Sequence, residues 1–555
     1  MVLGDIKKII AKKIAIDENK LIYPPDTNWG DFCLPIFELA KEKKIAPQII
    51  ADELKRKIDQ DKKLTSILSK VEATGAYLNF FVNSEYLANR VLNDIIKQKK
   101  RYGINNNGKN KVVVFEFSNV NTHKNFHIGH LRNLCFGESM TNIFKTNGYQ
   151  SYPVSYINDF GIHVAKAIWS YKQGYSKDLN KCYAQTVKEM GKNSEIIKEV
   201  VAIMSDIEKH QGKNYDLWKK TRKISLKDIN DIYKKNKVKF KKTYYESKVI
   251  DNGLKIVKKS IDKKILILSQ GAVIADLEKY GLNVLPIIRS DGTALYPVAD
   301  LALTEIKAQD FKNLSNSYVV VDIRQGLYFK QLSKILELAT YKQKLNHLPY
   351  EFVTLPGGMM SSRSGNAVPY IDLYNEILEC LKKETKKRHK EWSDKKINKN
   401  CSELAVAILK FEMLKISPQK IITFNINEAI KFDGFSAIYI LYGLVRIKSI
   451  IRKAKFKNNG KFRFDLLTDK REKELILYLA KYPEIIIRAE KKQDQSEIAK
   501  YLFELLKLFN DYYQQVRILQ SEVNIKKSRL FLISSILIVI ENALDILGVK
   551  PLNEI

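Results

Sequence analysis

Two of the chain's seven histidines, His127 and His130, lie three apart around Ile128-Gly129, directly after the strand-like run Val112-Val113-Val114-Phe115-Glu116-Phe117. A polar turn follows that run (Ser118, Asn119, Asn121, Thr122), and Leu131, Leu134 and Phe136 then open a helical pattern. Strand, loop and helix begin a βα unit. At a helix start the free N–H groups and the positive dipole end attract phosphate, and side chains at i and i+3 share one face. Two imidazoles there could hold the α-phosphate of ATP while pyrophosphate leaves. Gly129, without a Cβ, lets a flat base come close to the backbone. The same spacing also fits one histidine capping the helix with the other packed, or a pair binding a metal.

A second candidate lies at residues 355–368, LPGGMMSSRSGNAV. Glycines and serines make a loop whose N–H groups, together with Arg363, could close over a triphosphate. A flexible surface turn has the same composition.

The elements that must position these groups follow from the rest of the chain. At 555 residues it has length for three or four domains, and 45% hydrophobic with 28% charged residues fits a folded globular protein. The longest apolar stretch, Leu530 to Ile540, is too short to span a bilayer and reads as a buried helix. The amphipathic start MVLGDIKKIIAKKIAI carries Asp5 and no cleavage-site pattern, so a cytoplasmic location is expected. Five scattered cysteines without a CxxC pair predict reduced thiols and no structural metal. The net charge of +33 points to a polyanionic partner, nucleic acid first, although solvated lysine-rich helix faces also contribute.

Residues 1–105 read as a first domain of helices with an extended piece, Gly75 to Phe81, and the polar stretch from Tyr102 to Asn110 as a linker. Residues 111–370 alternate strands and helices, which predicts an α/β fold with a parallel, Rossmann-like sheet and ligands at the carboxyl ends of its strands. The predicted strands include 150–157, 272–275, 284–288 and 318–321, with a lysine-rich helical insertion at about 171–260. A helical connector at 371–414 and an all-α bundle at 415–555 complete the expected architecture. Lys382 to Lys396 reads as a solvated helix face or a loop.

With both constellations in this order, the chain resembles the class I aminoacyl-tRNA synthetases, and the flanks narrow the resemblance to the arginyl-tRNA synthetases. EFSNVNTHKNFHIGHLR, residues 116–132, resembles that family's E-F-S-S-P-N-x-x-K-P-x-H-x-G-H-L-R. Asn119, Val120 and Asn125 depart from it, and both prolines are absent. SYINDFGIHVAK, RSDGTALYPVADLA and VVDIRQGLYFKQL resemble further family segments. So do FDGFSAIYILYGLVRIKSI, LFNDYYQQVRIL and RLFLISSILIVIENALDILGV near the C-terminus. GDFCLPIFELAKEKKIAPQIIADEL and GAYLNFFV resemble the family's additional N-terminal domain, which contacts the tRNA elbow.

The resemblance implies arginine–tRNA ligase activity: arginine and ATP form an adenylate, and arginine passes to the terminal ribose of tRNA(Arg). It implies that His127 and His130 stabilise the transition state. Glu116 and Asp300 would face the guanidinium, with Tyr296 one turn before Asp300, because planar carboxylates match its fixed donors. Asn121 and Gln325 would hold the α-amino and carboxylate groups, and Gly129, Met360, Ser361 and Ser362 would contact ATP. Where the family's KMSKS loop carries lysines, this chain has Met359 and Ser362, so Lys124, with Arg363, is implied to supply the missing charge. Tyr439, Tyr442, Arg446, Tyr512 and Tyr513 are candidates for reading the anticodon by stacking and hydrogen bonding. Magnesium is expected with ATP, and a monomer is expected. A non-catalytic RNA-binding paralogue is the alternative, and it would be expected to have lost His127, His130 or Asp300.

Overall fold

A computed structural model describes residues 2–356, 358–359, 368–458 and 460–555. The strand that ends at the polar turn, Val112–Glu116, is buried along its whole length, as a run of β-branched and aromatic residues covered on both faces must be. It is the middle of a five-stranded, all-parallel sheet. The order across the sheet is Lys344–Tyr350, Leu314–Asp322, Val112–Glu116, Gln150–Ile157 and Lys242–Tyr245. In chain order this is 5-4-1-2-3. The winding reverses between Val112–Glu116 and Leu314–Asp322, and the crevice at such a reversal is where open α/β sheets bind ligands.

Helix Ile128–Thr146 packs against this crevice. Gly137 permits the close approach, since a Cβ there would lie 2.1 Å from the Phe117 ring. Asn133 ties the two sides together: its Nδ2 donates to Val320 O at 2.6 Å and its Oδ1 accepts from Ser118 N at 2.5 Å. Arg132 is buried and donates to four carbonyls, Phe352 at 2.8 Å, Ser417 and Pro418 at 3.2 Å, and Lys420 at 2.8 Å. Truncating it would orphan those oxygens, at a cost of roughly 2–3 kcal/mol for charge-assisted bonds of this kind. Phe352 precedes the Gly/Ser loop, so this one side chain fixes the helix against the loop's base.

Two predicted strands lie elsewhere. Ala272–Ala275 and Leu285–Ile288 join Ile267–Ser269 in a separate antiparallel sheet, not the parallel one. The stretch 171–260 is not helical throughout. Helices Leu179–Met190, Glu195–Glu208 and Gly212–Lys235 are followed by Lys242–Tyr245, which is the edge strand of the parallel sheet.

Near the N-terminus, helices Val2–Ile14, Pro47–Asp59 and Ser84–Gln98 accompany an antiparallel sheet of Phe32–Pro35, Tyr77–Val82 and Leu68–Thr74. From Tyr370–Arg388 onward the chain is mainly long helices, including Asp394–Leu414, Ala437–Lys453, Lys470–Lys492, Ser496–Gln515 and Val523–Ile546. Helix Ser84–Gln98 packs on two of these long helices, Lys470–Lys492 and Val523–Ile546, which also contact helix Ile128–Thr146. Among the described residues no helix is long and apolar enough to cross a membrane.

Candidate active site

His127 is the N-cap of helix Ile128–Thr146, and His130 is its third residue. The two side chains form a reciprocal capping pair. His127 Nδ1 accepts from Gly129 N at 3.1 Å, and His130 Nδ1 accepts from His127 N at 3.2 Å. The rings stack with centroids 3.7 Å apart. Burial lowers the His127 pKa to about 4. Burial, then the neighbouring His127 and Lys124, holds His130 well below its ordinary value. Both imidazoles are therefore neutral, and because each Nδ1 accepts, each proton sits on Nε2. The space a Cβ would need at Gly129 is occupied by the His127 ring, 3.0 Å from its Cε1. Gly129 thus serves the histidine pair, where the sequence reading had assigned the space to a base.

The end of the second loop meets this helix start. His127 pairs with Pro369 in an antiparallel bridge, Tyr370 N donates to Phe126 O at 2.9 Å, and Ile128 N donates to Val368 O at 3.4 Å. Met360, Ser361, Ser362 and Arg363 lie outside the described residues. Lys124 sits beside the helix start, its ammonium 4.4 Å from the centroid of the Tyr183 ring, and its charge reaches His130 and His163. Asn121 bridges to Asn158, which joins the carboxyl ends of the first two strands.

Carboxylates gather at the carboxyl ends of the strands. Glu116 is buried, with Lys307 Nζ at 2.8 Å from Oε2 and Asn119 Nδ2 at 2.8 Å from Oε1. Asp300 accepts a hydrogen bond from the Tyr328 hydroxyl. Burial raises its pKa to about 7, with the Tyr328 bond opposing and the Glu116 charge adding. Glu246 follows the edge strand directly and is raised to about 8 by burial and by the charges of Asp159 and Asp300. Its carboxyl has no hydrogen-bond or ion-pair partner among the described residues. Asp159, by contrast, is held by Arg222 Nε at 2.5 Å and by Ser247 N and Oγ at 2.9 and 2.8 Å. The buried hydroxyl of Tyr156 feels all four of these carboxylates and has no hydrogen-bond partner among the described residues. This acid-lined corner leaves acceptor capacity that a cation with several N–H donors satisfies.

The sequence reading missed Glu246, Asp159, Tyr156, Tyr328 and Lys307. A signal for Glu246 was present, a short Thr-Tyr-Tyr strand ending in an acid, but flanking lysines obscured it. Tyr296 starts the helix carrying Asp300, one turn before it, and is 69% exposed. Gln325 follows the fourth strand and is also exposed.

In the C-terminal bundle, Arg446 lies between two exposed rings, 5.0 Å from Tyr442 and 5.2 Å from Tyr513. Its Nη1 donates to Asn510 Oδ1 at 2.8 Å, and Asn510 Nδ2 donates to the Tyr439 hydroxyl at 2.9 Å. Tyr512 does not join them. It is fully buried and bonded to Glu472 at 3.0 Å, so it cannot stack on a base, and its assignment as a nucleic-acid contact is withdrawn.

Three family models match in succession: the arginyl tRNA synthetase N terminal domain at residues 2–82, the catalytic domain of tRNA synthetases class I (R) at 91–425, and the DALR anticodon binding domain at 440–555. The arginine–tRNA ligase of Halothermothrix orenii is 32% identical over 96% of this chain and 95% of its own length. The chain belongs to the arginyl-tRNA synthetase family. A Pediococcus pentosaceus arginine–tRNA ligase is likewise 32% identical, over 96% of this chain and 95% of its own length. The solved arginyl-tRNA synthetases of Thermus thermophilus (TM-score 0.76, 23% identity, covering 100% of this chain and 99% of that one) and Plasmodium falciparum (0.77, 20%, 100% and 98%) share its fold. For an arginyl-tRNA synthetase, the class I catalytic match includes both the histidine pair and the acidic corner.

Proposed function

We propose that this chain is an arginine–tRNA ligase that joins L-arginine to ATP as arginyl-adenylate and then transfers arginine to the terminal ribose of tRNA(Arg). The acidic corner beside the neutral histidine pair carries the reading. Glu116, Asp300 and Glu246 present carboxylates to the guanidinium, with Tyr156 and Tyr296 completing the wall. Glu116 is already paired with Lys307, so Asp300 and Glu246 supply most of the acceptor capacity that arginine satisfies. Asn121 and Gln325, at the ends of adjacent strands, take the α-amino and carboxylate groups.

In this reading the arginine carboxylate attacks the α-phosphorus and pyrophosphate leaves. The Nε2–H groups of His127 and His130 donate to the α-phosphate oxygens as charge builds. Lys124 neutralises the leaving phosphates with Arg363, while Met360, Ser361 and Ser362 contact ATP and Gly129 lets the His127 ring lie flat against the helix start. ATP enters as its magnesium complex, the ion belonging to the substrate. Tyr439, Tyr442, Arg446 and Tyr513 form the surface that meets the anticodon loop, and the chain acts as a cytoplasmic monomer.

Charging total tRNA with each of the twenty amino acids, ATP and magnesium tests this. Attachment of arginine alone is expected. Attachment of another amino acid overturns the specificity, and no attachment at all favours the non-catalytic paralogue. Lys124→Ala should impair ATP–pyrophosphate exchange, and an unchanged rate would remove Lys124 from the mechanism.

A further inference from the structure

The segment between Glu116 and Ile128 carries Lys124 and has no proline, so no ring fixes a φ angle in it. Its conformation is nonetheless specific. His123 is fully buried with φ of 63°, a left-handed geometry that side chains other than glycine resist. Three hydrogen bonds hold it there. Its backbone N donates to Ser225 Oγ at 2.9 Å, its Nε2 meets Thr221 Oγ1 at 2.9 Å, and its Nδ1 meets Thr122 Oγ1 at 2.9 Å.

Thr221 and Ser225 are one turn apart on helix Gly212–Lys235 of the insertion. The same helix reaches the start of the loop, where the Tyr233 hydroxyl meets Ser118 Oγ at 2.9 Å. A second insertion helix, Leu179–Met190, supplies Tyr183, whose ring lies under the Lys124 ammonium at 4.4 Å. That helix is docked in turn: Thr186 Oγ1 donates to Lys166 O at 2.6 Å, on helix Ile162–Lys172. The insertion therefore holds the loop up to Lys124, through the backbone and ring of the preceding residue and through the ammonium itself.

We propose that His123 and Tyr183 are positioning residues for Lys124, by which the helical insertion sets where the ammonium stands over the leaving phosphates. The inference rests on Lys124 acting on ATP. His123 fixes the backbone from which the lysine departs. Tyr183 offers a π-face that favours one position of the charge among the many a four-carbon stem can reach. Neither residue touches the reacting atoms. Their loss is felt as a misplaced charge.

The test is ATP–pyrophosphate exchange, measured with tRNA present, for Tyr183→Ala, Tyr183→Phe and His123→Ala, each in the wild-type and Lys124→Ala backgrounds. Tyr183→Ala should raise the KM for ATP about fivefold, the scale of one cation–π contact, with the KM for arginine unchanged. Tyr183→Phe keeps the ring and should restore the wild-type value. In the Lys124→Ala background neither Tyr183→Ala nor His123→Ala should add a further loss, since residues acting through one group are not additive. A full additional loss in that background, or a wild-type KM for ATP in Tyr183→Ala, overturns the proposal. Should Lys124→Ala itself be without effect, the reading of Lys124 fails instead. Because Tyr183 is only half-buried, its variants keep the test decisive if His123→Ala does not fold.

Discussion

His127 and His130 spend the same ring nitrogen in the same way, each Nδ1 accepting a backbone N–H at 3.1–3.2 Å, with the rings 3.7 Å apart. The helix cap and the histidine pair proposed to act on ATP are one object. Capping fixes the tautomer, and the tautomer aims two Nε2–H donors away from the helix start.

His130→Ala should lower kcat for adenylate formation by about 10²- to 10³-fold, the usual effect of removing one donor to a transition-state charge, with little change in the KM for ATP. His130→Gln should recover part of that loss, because its terminal amide places an N–H near the position of Nε2. Steady-state pyrophosphate exchange distinguishes the two effects. A raised KM with unchanged kcat would mean that the histidine only binds ground-state ATP. His127→Ala should also cost about 1 kcal/mol of stability through the lost N-cap, visible in the denaturation midpoint.

Binding of arginine should depend on pH through Asp300 and Glu246. Their carboxyls stand at about 7 and about 8 in the free protein, raised chiefly by burial. Near neutral pH they retain protons that an arriving guanidinium displaces. Affinity should therefore rise as pH rises from 6 to 8.5, with proton release on binding. Calorimetry in buffers of different ionisation enthalpy measures that release directly. An arginine affinity flat across this range would separate these carboxyls from the guanidinium.

The same shift has a consequence for stability, with the sign fixed by linkage. A carboxyl whose pKa is higher folded than unfolded contributes stability below its unfolded value, about 4.3, and loses it as pH rises through its folded value. For Glu246 that value is about 8. Glu246→Gln cannot ionise, so it should match the wild type near pH 4.5 and exceed it at pH 8.5. After allowance for solvent at this half-buried group, the gain should be about 1–2 kcal/mol. Urea denaturation at the two pH values reads it, and arginine charging should fall in the same variant. Stability and substrate binding would then be opposed at one side chain.

The histidine pair was legible in the sequence because a helix start announces itself locally, in the residue types at its cap. Glu246 was not. Its strand is only four residues long and set among lysines, so the short Thr-Tyr-Tyr signal is lost in a lysine-rich, helix-like stretch. Ala272–Ala275 and Leu285–Ile288 read correctly as extended segments, but a short apolar run does not encode the direction of its partner. Tyr512 and Tyr513 are neighbours with opposite fates. Leu505, Phe509 and Tyr512 follow the i, i+4, i+7 spacing of a buried helix face, a signal that was present and overlooked.

The exposed Tyr442–Arg446–Tyr513 stack makes the last prediction. A guanidinium held between two rings cannot swing freely, and Asn510 fixes its edge. The rings, 45% and 41% exposed, offer flat surfaces to unstacked bases. Base–aromatic stacking is worth about 1–3 kcal/mol. Tyr513→Ala should therefore weaken tRNA binding by roughly 5- to 150-fold while leaving its salt dependence intact, because a stacking contact releases no counterions. Arg446→Ala should weaken binding comparably, because it also removes the spacer that keeps the two rings apart. If Arg446 instead meets a phosphate, its loss reduces the slope of log affinity against log salt by about one. Filter binding of tRNA at several salt concentrations separates the outcomes, and unchanged affinity in both variants would place the anticodon on another face of the bundle.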